Sequence, residues 1–231
     1  EMDGSGARQG QVNVRQGTAG GEPVKEKDLT GRMDQSPVTA LMTDEIFQRY
    51  LDKAIKEILR LEHEVAEAAE GAPVAQPTGH PLGSMFLLKY GPQEHELREG
   101  VAYHGRAGHA TKKSLEKLSV DATEVFGTNC VKFAGADIEQ CRDWLRREIR
   151  IVSPRIVVVM GDDARLFLNE IAFPLSKPVE ATLGDLQEFT PTIQALVVPD
   201  IDESLDEQSA KTRFWNAFKT LGPWWAALPP Y

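Results

Sequence analysis

Ser153-Pro154-Arg155-Ile156-Val157-Val158-Val159-Met160-Gly161-Asp162 decides the fold of this chain. Five consecutive apolar residues, most of them β-branched, lie between a Ser-Pro stop and a Gly-Asp turn. That pattern reads as a strand buried on both faces, since a strand with one wet face would alternate apolar and polar residues. The cover is legible next to it. Asp137 caps a helix that runs to about Val152, with Gln140 in the capping-box position. Its apolar face is Ile138, Cys141, Leu145, Ile149 and Val152, and Ser153-Pro154 ends it. Beyond Gly161-Asp162 a second helix is predicted from Asp163 to about Ile171.

The same alternation recurs outward. Met85-Phe86-Leu87-Leu88 before Gly91-Pro92 reads as a strand, Thr111 to Leu118 as a short helix and Val125 to Lys132 as a second strand. Ala195-Leu196-Val197-Val198 is a fourth strand, and Ser209 to Leu221 is the last helix. The fold class is therefore α/β: three layers, α/β/α, around a four-stranded, mostly parallel sheet. Ligands in such folds sit at the carboxyl ends of the strands. Those ends carry the segments starting at Lys89, Cys130, Gly161 and Pro199.

Upstream, Thr43 reads as the cap of a long amphipathic helix, with Asp44 and Glu45 in its first turn. Ile46, Tyr50, Leu51, Ala54, Ile55, Ile58, Leu59, Leu61 and Val65 form its wide apolar stripe. Gly71 to Gly83 holds three prolines and is a loop. Residues 1–42 have almost no large apolar side chains and are predicted to be a flexible arm. The organisation is then an arm (1–42), a helix packed on the domain (43–72) and an α/β domain (73–231). The domain ends in an apolar tail, Pro223-Trp224-Trp225 and Leu228-Pro229-Pro230-Tyr231, which either folds back or anchors a partner.

Composition narrows the function classes. The chain has 231 residues and 41% hydrophobic content, enough for one substantial core. Its 26 Lys+Arg against 35 Asp+Glu give a net charge of −9, a poor overall match for nucleic-acid phosphates. A local basic patch stays open: Lys112, Lys113 and Lys117 cluster on one short helix. Arg142, Arg146, Arg147 and Arg150 read as a solvated face paired with Asp143 and Glu148. Two cysteines make neither a disulfide framework nor a four-thiolate cluster. No apolar run is long enough for a membrane span, and no secretory signal pattern is present, so a cytoplasmic protein is expected. No cofactor or metal is predicted. Asp200, Asp202 and Glu203 cluster carboxylates but lack the Gly and terminal Glu of a calcium loop.

Two segments carry the chemistry: Tyr103-His104-Gly105-Arg106-Ala107-Gly108 and Thr128-Asn129-Cys130-Val131-Lys132. The first is a Gly-bounded turn opening a helix, where backbone N–H groups approach an anion or a base. The second ends a strand with an Asn, which donates and accepts at once, as reading a base edge requires. Taken alone, Asn129 reads first as a turn or cap residue and Tyr103 as a core aromatic.

The ordered pair resembles the uracil-DNA glycosylase superfamily, most of all its bacterial iron–sulfur branch. There the pattern runs Phe-Val-Gly-Arg-Ala-Gly and then Thr-Asn-Val-Val-Lys-Cys. The run Cys141-Arg142-Asp143-Trp144-Leu145 and the strand ending at Gly161 extend the likeness from about Met85 to Leu221. The resemblance implies a base pocket with Asn129 on the base edge and Tyr103 stacked on the ring. Gly105, Arg106 and Gly108 would form the adjoining turn, with Lys112 and Lys113 beside it toward phosphate.

Three departures stand where the family's chemistry sits. Its Gly-Glu-Ala-Pro-Gly falls on Lys89-Tyr90-Gly91-Pro92-Gln93, so Tyr90 replaces the water-activating acid. A phenol is a poor base at neutral pH. Glu94, His95 and Glu96 follow closely as replacement candidates, or form a solvated loop. The family's His-Pro-Ser falls on Asp202-Glu203-Ser204, and a carboxylate there opposes charge developing on a leaving base. Phe133 replaces one cluster thiolate, and the helix Leu61 to Ala69 lacks the first pair. Glycosylase turnover is therefore expected to be lost. The domain would serve as a DNA- or nucleobase-binding or assembly component, with DNA (weak or single-stranded) or a protein as partner. A protein would be met through residues 1–42 and the Trp224-Trp225 end. An active divergent glycosylase and a purely structural subunit are the alternatives.

Overall fold

The computed structural model describes residues 37–228, with side chains from Asp44 onward. Of the predicted arm, residues 1–36 lie outside the described residues, as do Pro229, Pro230 and Tyr231.

The four predicted strands form the parallel centre of a sheet: β2 (Met85–Lys89), β3 (Val125–Asn129), β4 (Ile156–Met160) and β6 (Gln194–Val198). Two short antiparallel edges, β1 (Thr78–Gly79) and β5 (Leu186–Glu188), extend it to six strands in the order β1-β3-β2-β4-β6-β5. The second strand stops at Asn129, three residues earlier than its apolar run predicts. The chain then leaves the ladder, while the Cys130 and Val131 N–H groups still bond to the carbonyls of Lys89 and Tyr90.

Alternation along the strands divides the core in two. Phe86, Leu88, Phe126, Val157, Val159, Ala195 and Val197 face α1 (Pro37–Ala68), α4 (Ile138–Val152) and α5 (Asp162–Glu170). Met85, Leu87, Val125, Ile156, Val158, Met160, Leu196 and Val198 face α3 (Arg106–Lys117), α6 (Gln208–Phe218) and α7 (Leu221–Ala226). Those are the three layers. The α4 cap is as predicted: Asp137 accepts the Gln140 N–H at 2.9 Å, and Ser153 ends the helix in the left-handed region at φ 49°.

α1 begins at Pro37, inside the predicted arm and ahead of the predicted cap Thr43, and two further expectations change. Only a narrow seam of α1 is buried: Ala54, Ile58, Leu61 and Val65 pack inward, while Ile46, Tyr50, Ile55 and Leu59 face solvent. A helix meets one neighbour along one line, and the predicted stripe is wider than that contact. Glu94, His95 and Glu96 lie on a short helix, α2 (Glu94–Glu99), closed by Gly100 at φ 74°, and not in a loop. The tail folds back: Leu221 and Trp224 are buried, and the Trp224 indole N–H donates to Gln194 Oε1 at 2.5 Å.

Candidate functional site

Lys89, Asn129 and Met160 close β2, β3 and β4 at one register and are fully buried. Alternation puts all three on the α3 side of the sheet. β3 flanks β2 on one side and β4 on the other, so the crevice between β2 and β4 is the topological switch point, where such folds bind ligands. Tyr103 roofs it. Its backbone is left-handed at φ 60°, and its hydroxyl donates to Met160 Sδ at 3.6 Å. A side chain at Gly108 would place its Cβ 1.8 Å from the Tyr103 carbonyl oxygen, so only Gly lets α3 start this close to the roof.

The space on the Lys89 side of the Tyr103 ring is occupied. The Lys89 ammonium donates to Glu96 Oε2 at 2.5 Å and to Asp202 Oδ2 at 2.7 Å, and lies 5.5 Å from the Tyr103 ring centroid. Glu96 is equally buried. Its Oε2 accepts the Gln93 N–H at 2.7 Å, and its Oε1 accepts the Tyr103 N–H. A buried ammonium costs several kcal/mol of lost hydration unless carboxylates and hydrogen bonds surround it, as they do here. The cluster ties together the turn after β2, the segment before α3 and the loop after β6. Burial first, then the Glu96 and Asp202 charges, holds the Tyr103 phenol well above its ordinary value, so the roof is neutral.

Asn129 lies in the same layer with neither Oδ1 nor Nδ2 hydrogen-bonded within the described residues. A buried amide without partners costs about 1–3 kcal/mol.

The remaining predicted residues separate into three groups. Tyr103, Asn129 and Asp202 come together around Lys89. Glu94 is exposed on α2, His95 Nε2 is 2.7 Å from the His104 carbonyl, and Glu96 has its oxygens committed to Lys89 and two backbone N–H groups. None of the three is left as a free base beside Asn129. Tyr90, in the position of the water-activating acid, is 40% exposed and meets the Phe167 ring edge-on at 6.3 Å. Arg106 donates to Asp206 Oδ1 at 2.8 Å and the Leu205 carbonyl at 3.3 Å, pinning the start of α3 to the loop after β6. Lys112 and Lys113 are exposed on α3, and Lys117 lies 5.3 Å from the Trp215 ring centroid.

Two lysines escaped the sequence reading. Lys89 carried a signal, a single cation ending an apolar strand. Lys132 was quoted only as the end of the Asn129 segment: on the other face of the sheet its ammonium is 2.7 Å from both Glu148 oxygens and 2.5 Å from Thr128 Oγ1. Glu148 therefore belongs to this buried pair and not to the Arg face, because its position on α4 points into the core. Asp143 pairs with the Arg face as expected, through Arg146 and Arg147, while Arg142 pairs with Glu139 and Glu170 and Arg147 also with Glu64.

Next to the filled pocket, a cavity of about 600 Å³ opens at the carboxyl ends of β4 and β6. Asp162, Asp163, Asp200, Glu203, Asp206 and Glu207 line it against one cation, Arg213. Asp200 Oδ1 accepts the N–H groups of Asp202 and Glu203 at 2.7 and 3.2 Å, and burial raises its carboxyl. Among the described residues, no three His, Cys, Asp or Glu side chains gather as a metal site. Cys130 and Cys141 are free, buried thiols.

Comparison with known proteins agrees with this architecture. The family model described as "Uracil DNA glycosylase superfamily" matches residues 79–220, more than half of the chain. A type-4 uracil-DNA glycosylase of Sulfurisphaera tokodaii is 32% identical over 92 residues, covering 36% of this chain and 42% of that protein. One of Archaeoglobus fulgidus is 19% identical over 155 residues, covering 62% and 78%. The chain thus spans less than half the length of the first relative.

Proposed function

We propose that this chain, which belongs to the uracil DNA glycosylase superfamily, keeps the fold of its family without base-excising turnover and works as a binding or assembly component. The Lys89 ammonium carries this reading: it fills the crevice beside Tyr103 and is held there by Glu96 and Asp202. A departing base anion needs preorganised donors. Asp202 stands where the resemblance places the donor, and the charge of Lys89 is already balanced by two carboxylates. No free acid replaces the one lost at Tyr90. The acidic cavity beside the pocket repels phosphates. DNA, the partner that family membership supports, would be met through the exposed Lys112 and Lys113 on α3. A protein partner would be met away from the core, where the α1 residues Ile46, Phe47 and Tyr50 stay exposed.

Incubation with a single-stranded uracil-containing oligonucleotide tests the reading. No free uracil and no abasic site are expected; release of uracil that Asn129→Ala abolishes would overturn it. One observation favours a second reading, an active divergent glycosylase: the unpaired Asn129 amide has the donor and acceptor that a base edge requires. That reading needs Lys89 to leave the pocket and predicts the uracil release just described.

A further inference from the structure

We infer that the cavity between α3 and the β1–β3 edge of the sheet binds a small planar acid, an aromatic body with one anionic group. The inference does not need turnover: Lys89 and Asn129 lie outside the lining, although the cavity shares Tyr103, Gly105, Gly108 and Lys112 with the proposed binding site. It measures about 440 Å³, within the range of small-molecule sites. Leu87 and Val125 from the sheet and Leu115 from the helix supply its apolar lining, the kind of surface against which an aromatic ring packs.

Charge sets the sign of the ligand. In a chain of net charge −9, the lining holds no carboxylate, and its ionisable cations and imidazoles are Lys112, His104 and His109. The neighbouring cavity has six carboxylates and one Arg, so the two openings select opposite charges. The 12-residue helix α3 begins at the mouth, where Gly105 provides no side-chain cap, and the helix dipole favours an anion there. An independent mark lies deeper. Thr111 lines the cavity, is 3% exposed, and its Oγ1 has no hydrogen-bond partner. A buried hydroxyl in that state gains a bond when a polar atom of a ligand arrives.

The test is an amide-detected NMR titration of the full chain with 1-naphthoate and with uncharged 1-naphthamide. Naphthoate is expected to shift Thr111, Leu115, Val125 and Gly127 saturably. Naphthamide should bind at least about fivefold more weakly, the value of one charge contact of about 1 kcal/mol. Thr111→Val and the surface variant Lys112→Met should each weaken naphthoate by about the same factor, and Ala122→Trp, which fills the mouth, should abolish it. Asn129→Ala should leave it unchanged. Absence of saturable shifts at millimolar naphthoate, or equal binding of acid and amide with Lys112→Met unchanged, would overturn the inference.

Discussion

Lys89→Met is the perturbation that weighs most on the filled pocket. Methionine keeps the apolar stem of Lys89 and removes only its charge. Glu96, with a fully buried side chain, is then left without its cation. Removing one partner of a buried ion pair costs about 3–5 kcal/mol, because the other charge stays behind in low dielectric. Two backbone donors, the Gln93 and Tyr103 N–H groups, remain on the carboxylate and put the expected loss at the lower end, about 3 kcal/mol. For a domain of this size that lowers Tm by about 6–12 °C. Asp202→Asn should cost less, about 1 kcal/mol, since its side chain is 16% exposed and Glu96 still holds the ammonium. The double variant should cost less than the sum of the two, because Asp202 has no cation to lose once Lys89 is gone. Urea unfolding followed by far-UV circular dichroism, with unchanged m-values, gives all three numbers. A Lys89→Met loss under about 1 kcal/mol, or strict additivity with Asp202→Asn, would refute the reasoning: the ammonium would then not be seated between the two carboxylates.

Three further outcomes follow from the same contacts. Asn129→Leu removes an amide that makes no hydrogen bond, so urea unfolding should show anything from no change to a gain of about 1 kcal/mol; a loss above about 2 kcal/mol would mean that the amide is bonded. Asp200→Asn keeps the oxygen that accepts the Asp202 and Glu203 N–H groups but removes a carboxyl whose folded value is raised by burial. Such a group stabilises the fold below its ordinary pKa and loses that contribution as pH rises through the raised one. The stability of the Asn variant relative to the parent should therefore improve from pH 3.5 to pH 7 in paired urea titrations, and a constant difference would contradict the assignment. Burial raises both Cys130 and Cys141, so neither thiol should react with a disulfide reagent in the native protein at pH 8, and both should react in 6 M guanidinium.

The central strands were legible because their information is local. An apolar run between turn residues identifies β2, β3, β4 and β6, and the continuous apolar character of β4 alone requires cover on both faces. β1 and β5 were not legible, since pairs of two and three residues form only where a finished sheet offers an edge. The start of α3 at Arg106 was hidden by Gly105, which reads as a turn and is also the residue that lets the helix begin there. In the site, Tyr103 and Asn129 were legible as a pair but their neighbour was not. Lys89 and Asp202 lie 113 residues apart, and no local pattern links them. The resemblance places a glycine at position 89 and a histidine at position 202, and the two differences look separate along the chain. In the fold the two positions touch. An ammonium at the end of β2 repels a protonated histidine and attracts a carboxylate, and Lys89 and Asp202 are in contact at 2.7 Å. Asn129, the register partner of Lys89 on β3, thus stands beside a cation that already has its partners.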